Sequence, residues 1–124
     1  CYNASPDSMR AAITTLRGME CRGKKRMVLA DMLELGDISE EAHRQIGTFA
    51  AENNIDALYC YGNEAKYLAD EAKKAGIARC IHFQDKASLA ELLRSETKEG
   101  DILWIKGSRG MKLEDVISRF CEEC

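Results

Sequence analysis

Residues 26–36 read RMVLADMLELG, a five-residue run, Arg26–Ala30, apolar after its first residue, that empties into an acidic loop closed by Gly36. A run this short, bounded by turn residues and followed by helical periodicity, reads as a buried strand. Working outward, the chain alternates between helix and strand. Upstream, residues 6–19 set Met9, Ile13, Leu16 and Met19 on one helical face, with Ser5 as cap and then Pro6 and Asp7 in the first turn. Downstream, a helix opens at Ser39 with Glu40 and Glu41 and turns Ala42, Ile46, Phe49 and Ala50 inward. Ala57–Tyr61 (ALYCY) is a second strand. Asn63 then caps a helix carrying Ala65, Leu68, Ala69 and Ala72, which Gly76 ends. Ala78–Phe83 is a third strand, and a helix from Lys86 to Ser95 has Leu89, Leu92 and Leu93 as its stripe. Gly100-Asp101 turns into a fourth strand, Ile102–Lys106 (ILWIK), and the last helix uses Leu113, Val116, Ile117 and Phe120.

Strands of this kind separated by helices predict an α/β domain with a mainly parallel sheet covered on both faces. Right-handed crossovers leave few topologies. The expected one is a three-layer Rossmann-like fold over residues 1–124, with strands near 26–30, 57–61, 78–83 and 102–106 in the order 3-2-1-4. A flavodoxin-like order is the alternative. Because the chain reverses direction between the first and fourth strands, a ligand belongs at their carboxyl ends. The residues emptying there are Asp31–Gly36 and Lys106–Met111.

Composition narrows the function. The chain has 124 residues, 45% of them hydrophobic, enough for a real core. Eighteen Lys plus Arg against 21 Asp plus Glu give a net charge of −3, which argues against a nucleic-acid binder. No apolar run approaches membrane-spanning length, and CYNASPDSMR holds no secretory core, so the expectation is a cytoplasmic protein off the membrane. Of the six cysteines, Cys60 and Cys80 lie inside apolar runs, where a thiol acts as a small hydrophobe. Cys121-Glu-Glu-Cys124 is a single CxxC at a chain end, read as an incidental pair and not as a zinc or redox site. No metal site is expected.

The two crevice loops carry opposite charge. Asp31 and Glu34 follow the first strand; Lys106, Ser108 and Arg109 follow the fourth, with Gly107 and Gly110 permitting close backbone approach. A guanidinium fork on one wall and carboxylates on the other suit a zwitterion such as an amino acid or short peptide. The competing reading is that these charges pair with one another at a loop rim. There is no GxGxxG and no GxxxxGK[ST], so neither dinucleotide nor P-loop ATP binding is indicated. His82 alternates with Ile81 and Phe83 and reads as structural; His43, in the first turn of its helix, reads as packing or hydrogen-bonding before catalysis. Trp104 reads as core.

Three segments together, CYNASPDSMRAAI, LADMLELGDISEEAH and KGSRGMKLEDVI, resemble the C-terminal domain of Mur ligases of the MurF type. The resemblance spans essentially the whole chain. It implies one domain of a three-domain enzyme whose P-loop ATPase and UDP-sugar domains are absent here. That enzyme, with ATP and magnesium, activates the carboxylate of UDP-N-acetylmuramoyl-tripeptide as an acyl phosphate and joins it to D-alanyl-D-alanine. The implied setting is peptidoglycan synthesis, hence bacterial cell wall, shape and division. The chain alone would hold no catalytic residue and no activity. By position in the motifs, the resemblance implies that Tyr2, Asn3 and Ser5 face the nucleotide, and that Asp31, Glu34, Lys106, Ser108 and Arg109 line the dipeptide side. Charge suggests Arg109 for the dipeptide carboxylate and Asp31 for its ammonium.

The chain departs from the family pattern where Ser5 replaces Asn and Ala30 replaces Gly. The acidic residues and strand that normally precede CYN are missing, which would leave the 102–106 strand as an uncovered edge. A catalytically silent interaction domain and a receiver-like signalling module are the alternatives; the latter would rest on Asp85 as phospho-acceptor.

Overall fold

A computed structural model describes residues 4–107 and 111–121, without the side chains of 119–121. Helix α1 (Pro6–Gly18) leads to β1 (Lys25–Ala30), a short 3₁₀ turn (Gly36–Ile38) and α2 (Ser39–Glu52). Then come β2 (Ala57–Tyr61), α3 (Ala65–Lys74), β3 (Cys80–Phe83), α4 (Lys86–Glu96), β4 (Ile102–Lys106) and α5 (Glu114–Cys121). The strands form one sheet in the order β3-β2-β1-β4, and every neighbouring pair is parallel. The Rossmann-like order is the one found. Met27 stands opposite Leu58 on one side and Trp104 on the other, so side chains of one parity share a face across the sheet.

That alternation makes two cores. Met27, Leu29, Leu58 and Cys60 pack with Met9, Ile13 and Leu16 of α1, Ile46 of α2 and Leu68 of α3. On the opposite face Val28, Ala30, Ala57 and Tyr59 meet Leu89 and Leu93 of α4 and Val116 of α5. The two-face arrangement follows from handedness. Crossovers that step β1→β2→β3 put their helices on one face; the crossover returning from β3 to β4 must put α4 on the other. Helices α2 and α3 approach closely at Gly47, where a Cβ would lie 3.0 Å from the Leu68 carbonyl carbon and closer still to its oxygen.

Several expectations shift. Met19 is not on the buried face of α1; it follows the helix as C-cap and is exposed. The third strand is shorter than 78–83, beginning at Cys80. In α5, Leu113 and Val116 are buried but Ile117 points to solvent, and Phe120 lies outside the described side chains. Trp104 is half-buried, packed against the first core, because β4 is an edge strand with one flank open. His82 is structural as expected: its Nε2 bonds the Gly62 carbonyl oxygen at 2.6 Å.

At the amino ends of the strands a charged network joins the elements. Arg26 Nε donates to Asp101 at 2.7 Å and Arg26 Nη1 to the Tyr59 hydroxyl at 2.9 Å. Tyr59 donates in turn to Glu96 at 2.7 Å, which also pairs with Arg79. Backbone N–H groups of Lys24 and Lys98 and the Arg26 guanidinium hold the Asp101 carboxyl well below its ordinary range. Burial, reinforced by Glu96, pushes the Tyr59 phenol up to about 12.

Candidate functional site: the crevice at the carboxyl ends of β1 and β4

Asp31 and Met32 leave β1, Gly62 and Glu64 follow β2, and Lys106 and Gly107 end β4. Asp31 is only 6% exposed, and its Oδ1 accepts the Ala65 N–H at 2.7 Å. The first amide of α3 is thus satisfied from β1. The expectation that Asn63 caps this helix is corrected: Glu64 occupies the cap position and makes no side-chain capping bond. Gly62 permits the arrangement. Its φ is +121°, and a Cβ there would sit 2.5 Å from Asp31 Cγ and 2.7 Å from Oδ2. One signal could have located this contact: Ala30 pairs with Tyr61, so the next residues, Asp31 and Gly62, stand abreast.

His43 is fully buried. Its Nε2 accepts the Met32 N–H at 2.9 Å, and its Nδ1 lies 2.7 Å from the Ser39 carbonyl oxygen. The Ser39 hydroxyl donates to Glu64 Oε1 at 2.7 Å, joining the first turn of α2 to the entry of α3. The hydrogen-bonding reading of His43 therefore holds. With both ring nitrogens committed, it is not a free base.

Beyond Met32 the loop runs outward. Leu33 is 39% and Ile38 60% exposed, and Glu34, at the rim, adopts φ +63°. Across the crevice Lys106 is buried, 8% exposed. Gly107 backs onto β1, since a Cβ there would come within 3.0 Å of the Ala30 methyl. Ser5 caps α1: its hydroxyl accepts the Ser8 N–H at 3.1 Å and its own N–H donates to the Ser8 hydroxyl at 2.8 Å. Tyr2, Asn3, Ser108 and Arg109, like Cys124, lie outside the described residues, and Cys121 outside the described side chains. The structure thus brings Asp31, Glu34 and Lys106 to one end of the sheet, with Asp31 already engaged as a cap.

Asp85, the acid on which a receiver-like module would rest, caps α4 through the Ser88 N–H at 2.9 Å. Among the described residues no group of three or more His, Cys, Asp or Glu is placed to hold a metal ion. No described helix is long and apolar enough to cross a membrane.

Residues 1–109 match the family model described as Mur ligase, glutamate ligase domain. This chain belongs to the Mur ligase family. It is 39% identical over 122 residues to the UDP-N-acetylmuramoyl-tripeptide–D-alanyl-D-alanine ligase of Bacillus subtilis, covering 98% of this chain and 27% of that protein. The ligase of the same name from Escherichia coli is 34% identical over 118 residues, covering 94% and 25%. Among solved structures, the MurF ligase of Thermotoga maritima in complex with ADP superposes with a TM-score of 0.78 at 30% identity, covering 96% of this chain and 26% of that one. A MurF structure from Acinetobacter baumannii gives 0.80, also at 30% identity, with 96% and 26% covered. The Mur ligase chain described above therefore spans about a quarter of the length of these relatives.

Proposed function

We propose that this chain is the C-terminal, substrate-holding domain of an ATP-dependent ligase that adds D-alanyl-D-alanine to UDP-N-acetylmuramoyl-tripeptide. The observation that carries the reading is coverage: a relative bearing that ligase name matches over 98% of this chain at 39% identity. Such an enzyme works in the cytoplasm, on a UDP-linked precursor, and serves peptidoglycan synthesis and with it cell shape and division. ATP activates the tripeptide carboxylate as an acyl phosphate, and nucleotide and magnesium are held largely by upstream domains. This chain's part is to hold the dipeptide so that its amine meets the activated carboxyl. Positioning alone lowers a barrier by removing orientational freedom in advance.

In this reading the loops at 31–36 and 106–111 line the dipeptide side. Arg109 takes the dipeptide carboxylate as a bidentate partner. Lys106 and Ser108 flank it. Asp31, its Oδ1 held by Ala65, offers Oδ2 to the ammonium, with Glu34 at the rim. Tyr2, Asn3 and Ser5 face the nucleotide side, Ser5 chiefly by holding the start of α1. In this reading upstream residues add a further strand beside β4; the position of α1 on the α2–α3 face and the right-handed crossover rule support that flank for it.

The test is the full-length protein with ATP, magnesium and UDP-N-acetylmuramoyl-tripeptide, following ADP release. D-alanyl-D-alanine supports turnover and the L,L isomer does not. Asp31→Asn, which keeps the acceptor for Ala65 but removes the charge, raises the dipeptide KM about tenfold, the factor expected for a lost charged hydrogen bond. Turnover with a single amino acid in place of the dipeptide would overturn the reading.

A further inference from the structure

We propose that His43 is a positioning residue for the dipeptide: through the Met32 amide it sets the backbone path of the loop that carries Glu34. The inference rests on the reading of that loop as part of the dipeptide site. A backbone N–H can only donate and a carbonyl can only accept. The Met32 N–H at 2.9 Å therefore requires a lone pair on Nε2, and the Ser39 oxygen at 2.7 Å requires the proton on Nδ1. One neutral tautomer satisfies both contacts, and full burial keeps water from competing.

The two bonds do different work. The Nδ1 bond stays within α2, reaching back one turn. The Nε2 bond leaves the helix and reaches the loop. It completes a closed circuit: Asp31 to the Ala65 amide, Glu64 to the Ser39 hydroxyl, the Ser39 carbonyl to His43, and His43 to Met32. Asp31 and Met32 are thus anchored in succession, one by its side chain and one by its backbone. Immediately beyond, Glu34 sits in the left-handed region at φ +63° and Gly36 at +59°. A non-glycine residue holds that conformation only where its flanks are over-determined. The Met32 anchor is the flank. A leucine would fill the same space without supplying an acceptor.

The experiment uses the full-length protein and separates the two bonds. His43→Asn keeps an atom near Nδ1 and loses the reach to Met32; His43→Gln places an acceptor near Nε2. The expected result is a dipeptide KM raised about tenfold in Asn, the change that a lost buried hydrogen bond brings. In Gln it returns toward wild type, while kcat and the KM values for ATP and UDP-tripeptide hold steady in both. Equal KM values for Asn and Gln would overturn the proposal, since a merely structural histidine does not distinguish them. Hydrogen exchange gives a readout independent of activity: in the wild type the Met32 amide is protected relative to Leu33, and the protection is lost in Asn and restored in Gln. A Met32 amide that exchanges as fast as Leu33 in the wild type also overturns it. If the exchange pattern holds but the KM that rises is that of ATP, the anchor stands and the assignment of the loop to the dipeptide fails.

Discussion

Replacing Gly62 with alanine attacks the crevice at its tightest point, and the structure supplies the magnitude. Alanine at φ +121° carries backbone strain of about 1–3 kcal/mol. Its methyl would also lie 2.5–2.7 Å from Asp31 Cγ and Oδ2, distances that force the carboxylate aside. Moving it breaks the bond to the Ala65 amide, a charge-assisted hydrogen bond worth about 1.5–3 kcal/mol. The expected loss is about 4 kcal/mol in all. For a chain of 124 residues that lowers Tm by about 15 °C, taking an unfolding entropy of about 2.1 cal/mol/K per residue. The assay is thermal and denaturant unfolding of four proteins: wild type, Gly62→Ala, Asp31→Ala and the double variant. With Asp31 already truncated, Gly62→Ala has only strain left to express, about 1–3 kcal/mol. A Gly62→Ala effect of the same size in both backgrounds would refute the claim that the carboxylate occupies the space a side chain needs.

Gly47→Ala, which gains helix propensity of about 1 kcal/mol but drives a methyl into the Leu68 carbonyl, lowers stability by about 2 kcal/mol net; Gly18→Ala, with open space around it, does not, and chemical denaturation reads the contrast. Asp101→Asn leaves the buried Arg26 with only its longer pairing to Glu96, at 3.6 Å, and costs about 3 kcal/mol at neutral pH by urea unfolding. Because folding depresses the Asp101 carboxyl, its stabilisation is complete above the unfolded value near about 4 and fades as pH falls below it. Wild type and variant should therefore converge in stability between about pH 4 and pH 2, and parallel curves down to pH 2 would contradict the ion-pair account. Tyr59→Phe removes the hydroxyl linking Arg26 to Glu96 and lowers Tm by several degrees, about 1–2 kcal/mol, without altering the dipeptide KM.

Much of this fold was legible in the chain because period and handedness are local properties with global consequences. RMVLA, ALYCY and ILWIK switch the hydrophobic period, and the crossover rule turns the switches into a strand order. The ends of elements were less legible. Asn63 looked like the cap of α3 by residue type, yet the bond comes from Asp31, a residue 34 positions upstream. No window around Asn63 contains that information. Met19 and Ile117 matched their helical stripes but fall where the stripe runs past the surface it would pack on. Trp104 sits in an apolar run that reads as core, although the expected strand order already put that run on an edge strand. At the site, charge pattern singled out the two loops, while the direction in which Asp31 points depends on pairing with β2. Two polar groups there, the Asp31 carboxylate at the end of β1 and the His43 ring of α2, hold the backbone itself.

The placement of Arg26, Asp101, Tyr59, Glu96 and Arg79 divides the molecule into two poles. One end of the sheet is cross-linked by ionic and phenolic bonds between β1, β2, α4 and the turn before β4; the other end is left to loops. The crevice loops can then vary while the far pole keeps the strands in register. A domain built this way can change what it recognises without renegotiating how it folds.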